Sequence, residues 1–197
     1  MTAGGKDWAW HLAQPATEKA LGSKTWTWVV LQDFSTRPTR LGNVEQFIRD
    51  GETFSERIAK SSPHAGIILY ETWARPPGVF YLLKSGFGPE QMIRELHESY
   101  ARLRDDLAAK YPNREARVAP VGTAFARGAA KYPAIILDAF DHHHATAEGY
   151  YLAALVIYET IYRDSAKGAP ASLFRGELVI PADDAAKLQE IADEVVK

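Results

Sequence analysis

The chain has 197 residues and is 46% hydrophobic, enough apolar mass for a single compact domain spanning residues 1–197. Its 23 Lys and Arg against 25 Asp and Glu leave a formal charge of −2, and no basic stretch interleaved with aromatics marks a nucleic-acid partner. The lack of cysteine excludes disulfides, thiolate metal sites and a thiol nucleophile, and no apolar run approaches the roughly 20 residues that cross a bilayer.

The start, Met1-Thr-Ala-Gly-Gly5, has neither the basic opening nor the apolar core of a signal peptide. A cytoplasmic chain is expected from this, or an exported one if a signal lies upstream. Thr25-Trp-Thr-Trp-Val-Val-Leu31 is β-branched and aromatic and runs into the polar Gln32-Asp-Phe-Ser35, which predicts a buried strand and a loop at its C-terminal end. Val44, Phe47, Ile48, Phe54 and Ile58 then share one helical face behind Asn43 as the cap. Gly66-Ile-Ile-Leu-Tyr70 predicts a second strand, which leads into Glu71-Thr-Trp-Ala-Arg75 and a Pro/Gly-rich loop reaching Pro89. Met92, Leu96, Tyr100, Leu103, Leu107 and Tyr111 form the stripe of the next helix, and Ala116–Val121 reads as a third, shorter strand.

Residues 146–162 are nearly all apolar or aromatic, which predicts a buried helix capped by Thr146. A last helix from near Pro181 places Ala185, Leu188, Ile191 and Val195 on one side. The tryptophans at 8, 10, 26 and 28 are read as core packing. Strand and helix alternate, the pattern of a parallel sheet with helices on both faces, whose site lies in the loops at the C-terminal ends of the strands.

The sharpest local feature is Asp141-His-His-His-Ala-Thr-Ala-Glu-Gly149, a polar loop delivering an acid and three imidazoles onto the start of the buried helix. An Asp three residues before a His can accept the Nδ1 proton and orient Nε2 toward a nucleophile, the acid-base half of a hydrolase triad. Taken alone the loop allows two other readings, an inert solvated loop and a metal site. Adjacent side chains diverge, and no Cys or spaced His partner supports zinc.

The run Asp141-x-x-His144-x-Thr146-x-x-Gly149-Tyr-Tyr-Leu-Ala-Ala-x-x-x-Tyr158 resembles the last block of the SGNH (GDSL-type) hydrolases, where Asp-x-x-His-Pro-Ser precedes a Gly-x-Tyr-Leu-Ala-Ala helix. Here Ala145-Thr146 stands for Pro-Ser. Trp28-Val-Val-Leu-Gln-Asp-Phe-Ser-Thr-Arg-Pro38 resembles the Val-Val-Leu-Gln-Glu/Asp-Gln-Ser segment of one branch, and Leu69–Arg75, Val118–Gly122 and Leu188–Ala192 extend the likeness along nearly the whole chain. The resemblance implies an α/β, three-layer flavodoxin-like parallel sheet and a serine esterase or lipase acting on short acyl or acetyl esters, including those on carbohydrate. No metal or cofactor is required. It further implies Asp141 and His144 as the acid-base pair and Gly5 and Gln32 as oxyanion donors. Trp73 and Arg75 stand where a substrate loop is expected, and an aromatic face beside a guanidinium suits an acyl group or a sugar; the other reading has Trp73 plugging the core edge and Arg75 pairing with a surface acid.

The family's Gly-Asp-Ser block has no counterpart in this sequence. Ser23 falls between a helix and a strand and Ser85 in the Pro/Gly-rich loop, so Ser35, at a strand's C-terminal end, is the fallback nucleophile. The family's first strand is central in its sheet. Without it the strand at Val29 and Val30 is expected to present an apolar edge, covered either by a second copy, giving a homodimer, or by a rearranged N-terminal segment. Two readings follow: an ester hydrolase, or a binding protein that keeps the fold and the acid-base loop without a nucleophile.

Overall fold

The computed structural model describes residues 3–76 and 86–196, so Ser85 and the Pro77-Gly78 end of the expected substrate loop lie outside the described residues. The chain divides into two compact units, Met1–Tyr70 with Glu95–Val118, and Glu71–Arg94 with Ala119–Lys197. Among the described residues lie seven α-helices and a three-stranded parallel sheet, the α/β class expected.

The first unit holds α1 (Trp8–Leu12), α2 (Pro15–Leu21), β1 (Trp28–Leu31), α3 (Val44–Ser61), β2 (Gly66–Tyr70), most of α4 (Pro89–Lys110) and the start of β3 (Ala116–Ala119). The sheet order is β1-β2-β3, with Trp28 opposite Gly66 and Leu31 opposite Leu69. The Ile67 N–H donates to the Glu115 carbonyl. Gly66 is required at its position: a Cβ there would lie 2.1 Å from the Trp28 ring. That opening lets the indole cross the sheet surface, where the Arg117 guanidinium covers it at 4.6 Å. β1 begins three residues later than the sequence pattern suggests, and the Trp28 side chain is only half-buried.

α3 forms as its spacing predicts, with Asn43 Oδ1 accepting from the Gln46 N–H at 2.9 Å. Its apolar face meets Trp8, which stacks on Phe47 at 4.9 Å, while Phe47 packs edge-on against Tyr100. Of the four tryptophans read as core, Trp8 fills that role; Trp10 is exposed and Trp26 is half-buried like Trp28. The reason is local: Trp10 lies on the short α1 two residues from Trp8, on another face.

Asp33, just past β1, is 3% exposed and ties this core together. Its Oδ1 accepts from the Trp8 and Phe34 N–H groups, both at 2.8 Å, while Oδ2 is buried without a hydrogen-bond partner. Burial pushes its carboxyl up to about 7, more than the two backbone donors and the Arg37 charge lower it.

The second unit begins at Glu71, whose side chain is fully buried. The Glu71 N–H donates to the Ala119 carbonyl, and its own carbonyl accepts from Gly122. Oε1 accepts from the Thr123 N–H at 2.8 Å and hydroxyl at 2.7 Å, placing a carboxylate at the N-terminus of α5 (Val121–Lys131). The third strand therefore stops at Ala119, and Val121, read from the sequence as strand, opens a helix. α6 (Ala147–Tyr162) and α7 (Ala182–Val196) pack together, with Gln189 of α7 donating to the Tyr151 hydroxyl of α6 at 2.8 Å. Between them β4 (Ser172–Leu173) and β5 (Leu178–Val179) make a small antiparallel hairpin.

Asp33 makes stability depend on pH. A carboxyl raised in the folded state binds its proton more tightly there than in the unfolded chain, so its contribution is most favourable below about 4 and declines as pH rises to about 7. The loss is on the order of 4 kcal/mol. Asp33→Asn keeps the Oδ1 acceptor and is expected to abolish the decline. Urea midpoints measured from pH 4 to 8 test it, and an unchanged slope in the variant would exclude Asp33 as its source.

Candidate acid-base site

The loop before α6 closes on itself. The Thr146 N–H donates to the Leu137 carbonyl at 2.9 Å, Ala139 N–H to the His144 carbonyl at 2.8 Å, and Asp138 and Ala145 pair as an antiparallel bridge. Thr146 caps the helix as its sequence position predicts, accepting from the Gly149 N–H at 3.1 Å and donating to the Ile136 carbonyl at 2.7 Å. Gly149 permits the approach, since a Cβ there would lie 2.3 Å from the Leu137 carbonyl oxygen and 3.0 Å from the Phe125 ring.

Inside this frame Asp141 uses both oxygens. Oδ1 accepts from the N–H groups of His143 at 2.8 Å and His144 at 2.9 Å, and Oδ2 lies 2.6 Å from His144 Nδ1. The contact with the His144 ring, reinforced by the two amides, holds the Asp141 carboxyl well below the usual carboxylate range. An ionised carboxylate only accepts, so Nδ1 is the donor and Nε2 of the neutral ring carries the free lone pair. The ring is 70% exposed and the carboxylate 49%, leaving the base open to a small molecule. His142 takes the left-handed conformation at φ 58°, a strain of about 1 kcal/mol that the surrounding bonds hold in place.

Arg75 reaches this loop from the segment that follows β2. Its side chain is buried, the residue being 5% exposed, and Nη1 donates to the carbonyls of His142 at 2.8 Å and His143 at 3.1 Å. Burial and then the Arg75 charge lower the His143 imidazole. Asp138, with Oδ1 buried and without a hydrogen-bond partner, is raised by burial against the opposing charge of Arg75. Trp73 is also buried, stacked on Phe125 at 4.6 Å and 10°. Among the described residues no cluster of His, Asp and Glu is arranged to hold a metal ion, and no helix is long and apolar enough to cross a membrane.

A solved structure described as a candidate SGNH hydrolase from Slackia heliotrinireducens is similar to this chain, with 31% identity over 80% of each chain and a TM-score of 0.65. The chain belongs to the SGNH hydrolases. A DUF4886 family protein from Bacteroides uniformis shares the fold at 15% identity and a TM-score of 0.70; the match covers 91% of this SGNH hydrolase and 65% of the Bacteroides chain. No family model and no curated protein matches the sequence.

In this SGNH hydrolase the residues read from the sequence fall in both units. Asp141, His144, Trp73 and Arg75 belong to the second: Asp141 and His144 lie in the loop before α6, Trp73 stacks on Phe125 of α5, and the Arg75 N–H bonds to Met92 of α4. Gly5, Gln32 and Ser35 belong to the first. Gly5 is exposed in a turn at φ 67°, Gln32 is exposed directly after β1, and Ser35 is half-buried in the turn that follows. The arginine's grip on the loop backbone, and Glu71 at the start of α5, carry no signal in the sequence, because each joins residues more than 50 positions apart.

The Asp141 geometry has a measurable consequence. Its depressed carboxyl contributes stability that is present above the ordinary value near 4 and is lost as pH falls below it. In Asp141→Ala the amide hydrogens of His143 and His144 are expected to exchange at least about tenfold faster at neutral pH, as each loses its acceptor. Unchanged exchange at both amides would show that Oδ1 does not hold them in solution.

Proposed function

We propose that this SGNH hydrolase cleaves carboxylic esters with short acyl or acetyl groups, including those borne on carbohydrate. The observation that carries the reading is the 2.6 Å contact from Asp141 Oδ2 to His144 Nδ1, made by a carboxylate whose other oxygen already fixes the backbone of the same histidine. That arrangement sets the tautomer a general base needs.

In the proposed reaction a hydroxyl nucleophile gives its proton to His144 Nε2 as its oxygen attacks the ester carbonyl carbon. His144 then returns that proton to the departing alkoxide. Water, deprotonated by the same nitrogen, releases the acyl group and restores the hydroxyl. Asp141 holds the ring and stabilises the imidazolium in both halves. Ser35 is the proposed nucleophile, from its position after β1. Gly5 and Gln32 are the proposed oxyanion donors, a role that rests on the family resemblance.

Purified chain assayed with p-nitrophenyl acetate tests this. His144→Ala is expected to lower kcat by on the order of 10³-fold or more, and Asp141→Asn, which favours the wrong tautomer, by roughly 10²- to 10⁴-fold. Ser35→Ala reports on the nucleophile. Hydrolysis that survives His144→Ala unchanged sinks the acid-base assignment. The absence of any Gly-Asp-Ser in the sequence favours a second reading, an SGNH-fold binding protein, and an inactive wild-type chain would support it.

The same proposal includes a second copy of the chain as partner. β1 is an edge strand of the sheet, and Val30 on it is 44% exposed. Light scattering is expected to report a dimer that Val30→Lys dissociates; a monomer at high micromolar concentration would rule this out.

A further inference from the structure

We infer that Arg75 is a positioning residue for the Asp141–His144 pair, acting through the two peptide groups that separate them. The inference rests on the acid-base reading above and concerns a residue whose sequence position suggested contact with substrate.

Two consecutive peptide groups link His142 to His143 and His143 to His144. Each is held at both ends. The carbonyl of the first accepts from Arg75 Nη1 at 2.8 Å, and its N–H donates to Asp141 Oδ1 at 2.8 Å. The carbonyl of the second accepts from the same Nη1 at 3.1 Å, and its N–H donates to the same Oδ1 at 2.9 Å. Both peptide dipoles therefore run in parallel from the guanidinium to the carboxylate, oxygen toward the positive charge and hydrogen toward the negative. Rotating either peptide would break a bond at each end.

This matters because the second peptide carries the Cα of His144. Its plane fixes where the imidazole starts, and Asp141 Oδ2 then fixes where the ring ends, at 2.6 Å from Nδ1. Arg75 is itself anchored: its N–H donates to the sulfur of Met92 at 3.4 Å, a side chain with no exposed surface. A guanidinium delivered from a buried backbone can define a loop's position, where a mobile surface cation could not. The residue lies within the described part of the loop after β2, and its 5% exposure is that of a supporting group.

The test compares wild type with Arg75→Met and Arg75→Lys. In Arg75→Met, kcat on p-nitrophenyl acetate is expected to fall about ten- to hundredfold with KM within about twofold, since the base is displaced while substrate contacts remain. Arg75→Lys, which keeps a charge but not the planar fork, is expected to fall between the two. Independently of activity, the hydrogen-bonded Nδ1 proton of His144 is expected to broaden or vanish in the NMR spectrum of Arg75→Met, and the His143 and His144 amides to exchange faster although Asp141 is intact. A rise in KM with kcat preserved would overturn the inference in favour of substrate binding. So would an unaltered Nδ1 resonance and amide exchange in a folded variant. If Arg75→Met fails to fold, Arg75→Lys carries the same readouts. If wild type hydrolyses no ester, the ester-hydrolase reading fails while the NMR arm still decides the role of Arg75.

Discussion

The Asp141 carboxylate is the interaction on which the acid-base loop depends. With two backbone donors on one oxygen and an imidazole on the other, it ties four residues of polar sequence together. An exposed polar contact of this kind contributes little to global stability in water. Its effect is on conformational freedom: the histidine ring is held by bonds within its own loop, so the proposed reaction would not bear the cost of ordering it. Local bonds do the work because the loop is exposed and no core packing is present there to hold the ring.

The helix that follows supplies the foundation. Gly149 lets the first turn of α6 come against the Leu137 carbonyl, and Thr146 binds both that helix's Gly149 amide and the strand-like segment before the loop. The loop is thereby pinned at its two ends to the same point. The Gly-Tyr-Tyr-Leu-Ala-Ala motif is then a packing motif. Glycine gives the close approach, Tyr151 and Leu152 fill the interior, and Ala153 is small where another element lies against it.

Much of this was legible in the sequence, for reasons particular residues make plain. Asn43, Thr146 and the apolar periodicities of α3 and α4 are local signals, and each produced the element it predicts; the nearly all-apolar run of α6 also forms a helix, but it is buried on one side only, with Tyr150, Tyr158 and Tyr162 exposed on the other. Asp141 and His144 are three residues apart, so their contact was readable too. α5 was not. It is rich in Ala and Gly, lacks a polar cap of its own, and receives its N-terminal acceptor from Glu71, 52 residues away. Arg75 was noticed as a cation in a loop, but its acceptors are backbone carbonyls 67 and 68 residues on, and carbonyls are common to every residue. Contacts of that kind leave no mark on residue type. Asp33 is a similar case: its spacing from Trp8 gives no hint that it accepts from the first amide of α1.

The closed bonding of the loop from Leu137 to Thr146 bears on how such a protein changes over evolutionary time. Its shape is specified by its own backbone together with the Asp141 carboxylate, the Arg75 guanidinium and the Thr146 hydroxyl. A half-site that holds itself together is a durable inheritance. Substitutions elsewhere in the chain can accumulate while the loop keeps its form, because the bonds that define it lie among Arg75, Asp141 and the loop's own backbone.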